Sequence, residues 1–201
     1  LVVLVFTLPF GLGDYRAYQL ALTFLYAAAA TGVGLCWGGA GFLPLGQAMF
    51  FGIAAYLSGL TLIAHDGSRW LFVLVPLAAV ASGLLAWGIG LLIFRRQRES
   101  GVYFSMITLA LSLLVFQFAT SWNQLTGGFN GLKGIPGLPG LDDFSAAYYV
   151  SAVALLIVLA IAAWLRAAPI GVLWLALAQN ERRVALFGFN TGALKAVAFA
   201  V

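Results

Sequence analysis

Long uncharged apolar runs alternate with short polar punctuation along the whole chain. No charged residue occurs between Ala17 and Ala64, and the stretches 70–94, 101–122 and 146–165 are equally free of charge. About 20 consecutive apolar residues in a helix cross the hydrocarbon core of a bilayer. The pattern therefore predicts membrane helices near 18–37, 45–64, 70–94, 101–122 and 146–165. Residues 1–12 read as the remainder of an earlier span. They lack the basic leader and small-residue cleavage site of a signal peptide. The closing AVAFAV, from 196, reads as the start of a further span. A chain that begins on Leu1 and stops inside an apolar run is expected to be cut at both ends, so that 1–201 is part of a single transmembrane domain.

The punctuation is as informative as the runs. WGGAGFLPLG places Gly38, Gly39, Gly41, Pro44 and Gly46 inside apolar chain. Glycine costs about 1 kcal/mol and proline about 3 kcal/mol against alanine in a helix interior, so the helix breaks near 38–46. The break is either a tight surface turn or a discontinuous helix at membrane depth. We favour the second, because nothing charged holds the segment in water, and irregular backbone is tolerated in a membrane where protein buries it or it lines a cavity. A second interruption, NQLTGGFNGLKGIPGLPG, opens a glycine-rich loop over 123–145. The third, 166–195, is moderately polar and starts at Pro169 and Gly171. Within it, 172–186 reads as one amphipathic helix with Asn180, Glu181, Arg182 and Arg183 at its polar end, stopped by Gly188. Such a helix serves either as an interfacial linker or as a ridge for a partner's groove.

Composition turns this pattern into a solvent argument. Apolar residues make up 63% of the chain and charged residues 8%, with mean hydropathy +1.04. Globular domains carry about 25% charge, so lipid must be the solvent for much of the surface. The fold expected is an all-α, polytopic transmembrane bundle. Orientation follows from the basic residues. Arg95, Arg96, Arg98, Arg166, Arg182, Arg183 and Lys195 fall on one side with Glu99 and Glu181. Arg16, Arg69 and Lys133 fall on the other with Asp14, Asp66, Asp142 and Asp143. The first side is read as cytoplasmic, which puts 166–195 inside and the glycine-rich loop outside. This asymmetry accounts for the basic pI without a nucleic-acid partner.

Catalytic chemistry has little to stand on. His65 beside Asp66 reads as a solvated loop pair, and no Cys/His cluster suggests a metal. The single Cys36 allows no disulfide framework and reads as a small buried residue. GGFNGLKG does not fit the phosphate-binding G-x-x-x-x-G-K-[ST] pattern, so any ATP must be hydrolysed by a separate subunit, and no cofactor is implied. Ion-coupled carriers usually place ionisable groups inside their spans, and here the span interiors are neutral. A stand-alone channel or carrier using backbone carbonyls at a broken helix stays open. Ser105, Thr108 and Ser112 share one helical face, a stripe that either packs and hydrogen-bonds between helices or lines a translocation path. Gln47, just past the break, can donate and accept where backbone groups are exposed. Gly34 and Gly38 read as a small-residue helix contact.

Three blocks carry a resemblance to a known family. GLCWGGAGFLPLGQAMFFGIAAYLSGL over 34–60 resembles G-x-x-G-x-L-S-L-G-H-A-x-F-x-G-I-G-A-Y. GVYFSMITLAL followed by LTGGFNGLKGIPG resembles G-x-Y-F-A-M-x-T-L-A and L-T-G-G-x-N-G-L-x-G-I-P. NERRVALFGFNTGALKAVAF resembles E-N-E-x-x-A-x-A-L-G-I-N-x-x-x-x-K-x-x-A-F. In order and over more than a third of the chain, these look like the longer of the two paired permeases of branched-chain amino-acid ABC importers. Pro44 and Gln47 stand where that family usually has serine and histidine, and Leu175, Ala176 and Leu177 where it usually has arginines. The permeases of urea and short-amide importers are closely similar, and the Tyr103–Thr108 run resembles theirs nearly as well. The resemblance implies a bacterial inner-membrane machine with a second permease, two cytoplasmic ATPases and a periplasmic solute-binding protein. It implies that Gly171, Asn180, Glu181, Arg182 and Gly188 belong to the segment that couples to an ATPase. It also places Asn130, with the loop that carries it, at the pathway cap or the binding-protein dock.

Overall fold

The computed structural model describes residues 14–65, 68, 70–96, 101–136 and 144–201. The expected remnant at 1–12, the acidic pair Asp142 and Asp143, and the charges Asp66, Arg69, Arg98 and Glu99 lie outside the described residues. Among the described residues every regular element is helical. In chain order these are α1 (Asp14–Leu35), running into a π-helical turn (Cys36–Ala40), then α2 (Gln47–Ala64), α3 (Leu71–Arg96) and α4 (Gly101–Ser121). They are followed by the short α5 (Asn123–Thr126), α6 (Phe144–Ala167), α7 (Pro169–Gln179), α8 (Glu181–Leu186) and α9 (Thr191–Ala200). Five stretches are long and apolar enough to cross a membrane: Tyr15–Ala40, Gln47–Ala64, Leu71–Phe94, Val102–Ser121 and Ala146–Ala167. The chain is an all-α, multi-pass membrane protein with its helix interrupted between 41 and 46.

Small residues set how the helices approach. Ala17 and Ala21, one turn apart on α1, are buried, as are Tyr148, Ser151 and Ala152 on α6. Phe24 meets Tyr148 across this pair with ring centroids 5.4 Å apart. On α3, Gly83 and Gly90 lie on the face that receives α9, with buried Ala86 between them. A Cβ at Gly90 would stand 3.2 Å from Ala196 Cα, and one at Gly83 would stand 3.3 Å from Ala200 O. Close backbone approach of this kind drives helix association in lipid, where burial of apolar surface gives little. Ser82 donates from Oγ to Phe50 O at 2.8 Å, joining α3 to α2. Gly34, in contrast, has nothing near its Cβ position, whereas Gly38, the other half of the expected contact, lies against the Arg166 guanidinium of α6, 3.4 Å from its Cβ position.

Five phenylalanines close the end of the bundle where α3 ends and α4 begins. Phe94 stacks on Phe104 at 4.5 Å, and Phe42 meets both edge-on at 5.4 and 5.0 Å. Phe199 meets Phe104 at 5.0 Å and Phe50 at 5.2 Å. One ring comes from the interrupted segment and one each from α2, α3, α4 and α9. Tilted and offset pairings of this kind add about 0.5–1.5 kcal/mol each beyond area burial. At the opposite end, Leu132 and Ile135 of the glycine-rich loop cover Gly59 of α2, 3.0 and 3.4 Å from its Cβ position.

Candidate functional site

The interruption between α1 and α2 is built by glycines that no other residue could replace. The π turn ends on Gly41 at φ 78°, a left-handed conformation that L side chains rarely adopt. A Cβ there would lie 2.9 Å from Ala178 Cα, at the end of α7. A Cβ on Gly46 would collide with the carbonyl oxygen of Thr108. The segment is thus wedged between α4 on one side and α7 on the other.

Irregular backbone in an apolar setting must find hydrogen-bond partners, and α4 supplies them. Thr108, fully buried, accepts from Leu45 N–H at 3.3 Å and donates to Ser105 O at 3.0 Å. Ser105 donates to Leu43 O. Ser112, one turn further along α4, is half-buried. Two members of the predicted polar stripe therefore spend their hydroxyls on the interrupted backbone. Gln47 is different. Its Nε2 lies against Gly32 of α1, 3.0 Å from the Cβ position, while Oε1 is buried without a hydrogen-bond partner. An unpaired buried acceptor costs about 1–3 kcal/mol, which sets Gln47 apart from Ser105 and Thr108, whose hydroxyls the chain itself satisfies. Cys36 sits in the π turn, buried, with its thiol donating to Ala198 O at 3.0 Å.

The segment after α6 departs from the expected single helix over 172–186. It forms α7 and α8, separated at Asn180, whose extended backbone (φ −159°, ψ 94°) ends one helix while its Oδ1 caps the next by accepting from Arg183 N–H at 3.1 Å. A side chain that caps one helix cannot sit mid-way in a longer one. Gly171, in the first turn of α7, lets that helix fold tightly against the end of α6, because a Cβ would stand 2.5 Å from Leu165 O and Arg166 O. Gly188, at φ 86°, ends α8 and points the chain towards Asn190, which caps α9 by accepting from Ala193 N–H at 3.1 Å. The helix expected from 196 therefore starts earlier, at Thr191, because Asn190 provides its cap.

Burial sorts the side chains of this segment. Trp174 is 1% exposed and donates from Nε1 to Leu194 O at 3.0 Å, anchoring α7 to α9. Glu181 turns inward to Lys195, with Oε2 and Nζ 2.6 Å apart. Arg182, Arg183, Leu186 and Phe187 face outward, the last two 87% and 81% exposed. An open cleft of about 1280 Å³ runs beside them, lined by Leu91 and Phe94 of α3, residues 179–182, and the turn from Phe189 to Ala193.

At the far end, the glycine-rich loop is a folded turn. Gly127, Gly128 and Gly131 all have positive φ (75°, 61° and 68°). Thr126 is buried, its hydroxyl 2.6 Å from Trp122 O, and it accepts from Gly128 N–H at 3.2 Å. Asn130 is exposed, beside Phe129, which is 89% exposed.

The interruption held by α4, the capped segment α8–α9 and the threonine-knit turn are the three stretches whose residues carried the resemblance. A family model described as branched-chain amino acid transport system / permease component matches residues 15–201. The chain belongs to this permease family. No curated protein and no solved structure gives a match. In this permease the three motif stretches are therefore architectural before anything else. Their glycines permit close approach or left-handed backbone, and Thr108, Thr126, Asn180 and Asn190 bind backbone groups that would otherwise be orphaned. The sequence did not single out Trp174 or the phenylalanine cluster, and it placed Lys195 only among the basic residues of one side and within the last motif. Lys195 had a signal, a lone cation in ALKAVAF fourteen residues after Glu181. Phenylalanines in an apolar run carry none.

Proposed function

We propose that the chain is a permease subunit of an ATP-driven importer, forming part of the translocation path and taking its drive from separate ATPase subunits at the α7–α8 segment. One observation carries the reading. The interrupted segment, which presents an unpaired acceptor at Gln47, lies in van der Waals contact with the end of α7 through Gly41 and Ala178. A displacement of α7 is then passed directly to the interrupted segment. Interrupted helices of this kind bind solutes through freed backbone groups and helix ends. The basic residues that cluster in and around α7–α9 favour the cytoplasmic side for that end by the positive-inside rule. The exposed Leu186 and Phe187, beside Arg182 and Arg183, suit a groove on an ATPase. Gly171, Asn180 and Gly188 shape this seat, and Asn130 with the glycine-rich turn faces the outside, where a solute-binding protein docks. The complex would contain a second permease and two ATPases in a bacterial inner membrane. Its solute is a branched-chain or related amino acid, with urea or a short amide as the alternative. Both fit a neutral site at Gln47 and Ser112, with Ser105 and Thr108 behind them holding the interrupted backbone.

The test is uptake by vesicles holding the complex. Uptake of labelled leucine that requires ATP and the ATPase subunits, and falls about tenfold in Gln47→Leu for loss of one hydrogen bond to a charged solute, is the expected result. Competition by unlabelled urea or acetamide identifies the alternative solute. Uptake by this subunit alone, without an ATPase, would overturn the proposal.

A further inference from the structure

The ion pair between Glu181 and Lys195 stands apart from the rest of the α7–α8 surface. Its neighbours Arg182 and Arg183 face outward, whereas Lys195 is a buried residue and Glu181 is largely withdrawn, with side chains 11% and 27% exposed. The carboxylate is on the first residue of α8, where it complements the helix dipole. The ammonium is on α9, which packs against α3 through Gly90. It lies 5.5 Å from the centroid of Phe94, a distance at which a cation is attracted by the ring face. Phe94 in turn stacks on Phe104 and meets Phe42, the ring contributed by the interrupted segment.

We propose that Lys195 is a positioning residue for transport. It holds Glu181, and with it α8, to Phe94, so that a push on α8 is delivered through the phenylalanine cluster to the interrupted segment at Phe42. Glu181 then acts by facing inward, and contact with the ATPase is left to the outward side chains of α8. This rests on reading α7–α8 as the ATPase seat. It adds a second connection, through side chains, to the direct contact of Gly41 with Ala178. A purely structural pair would support folding only. A positioning pair also sets how much solute moves per ATP consumed.

The experiment uses the whole importer in vesicles, measuring co-purification of the ATPase, ATP hydrolysis and uptake in parallel. K195M keeps the bulk of the side chain and removes its charge, E181Q removes the other charge, and E181K/K195E exchanges them. The expected result is that K195M and E181Q assemble and hydrolyse ATP while uptake per ATP falls about tenfold, within the range by which single residues along a coupling route act. The exchanged pair recovers most of the loss. Uptake per ATP unchanged in both single variants overturns the proposal while leaving the ATPase seat intact. If the single variants do not assemble, recovery of both assembly and uptake per ATP in E181K/K195E supports the proposal, and failure of the exchange to restore them overturns it. Failure of the unaltered chain to bind any ATPase overturns the seat itself, and the positioning role with it.

Discussion

Thr108 shows how much one hydroxyl does in an apolar medium. It accepts from Leu45 N–H and donates within α4, on a residue with no exposed surface. Thr108→Val keeps the shape and removes both bonds. It should destabilise by about 1–3 kcal/mol, the cost of orphaning a buried group, and Thr108→Ser should recover most of that. Melting of the detergent-solubilised protein checks both. Trp174→Phe should also lower the melting temperature, by removing the indole bond to Leu194 O and leaving space beside a side chain that is almost fully buried. The polar residues of α4 were legible in the sequence because they are rare exceptions in an apolar run. Trp174 and the clustered phenylalanines were not. Lipid-facing and core-facing positions are equally apolar in a membrane helix, so periodicity, which separates faces in water, loses its contrast here. Glu181 was legible as a residue of interest, but its direction was not, since its partner lies on another helix.

At the scale of elements, the glycines and prolines told where helices stop, because the backbone penalty is local and needs no tertiary knowledge. The interruption after Ala40 and the turn after Thr126 both came from that signal. The division of α7 from α8 did not. Asn180 sits in an otherwise continuous helical pattern, and its capping role shows only once the backbone has turned extended. Asn180→Ala should cost about 1 kcal/mol by loss of the cap and let α7 and α8 merge. The observable is greater hydrogen-exchange protection at 180 and 181 together with weaker retention of the ATPase. Gly171→Ala should be harsher, since its Cβ position lies 2.5 Å from two carbonyl oxygens of α6. The corner must open, and the expected outcome is loss of ATPase co-purification while the helical circular-dichroism signal persists.

For the whole molecule, the all-α bundle was legible because 63% apolar residues leave no aqueous solution for the chain. The orientation makes a prediction at the same scale. In a Cys36→Ala background, Arg182→Cys should react with a membrane-impermeant maleimide only in inside-out vesicles, and Phe129→Cys only from the outer face. Labelling of Arg182→Cys from outside would invert the assignment and remove the ATPase seat. What no single-chain reasoning could supply is the packing of α9 on α3 and of Phe42 among rings from four helices. These contacts join residues far apart in sequence, and each becomes visible only when the others are in place.

The contact between Gly41 and Ala178 also constrains how this chain can change over evolutionary time. Position 41 has no room for an added methyl group unless the backbone retreats, because its Cβ would stand 2.8 Å from Ala178 Cβ and 2.9 Å from Ala178 Cα. Lineages that place a side chain at 41 must therefore also shift the backbone along 41–46 or at the end of α7, and correlated change at these sites would record that shift.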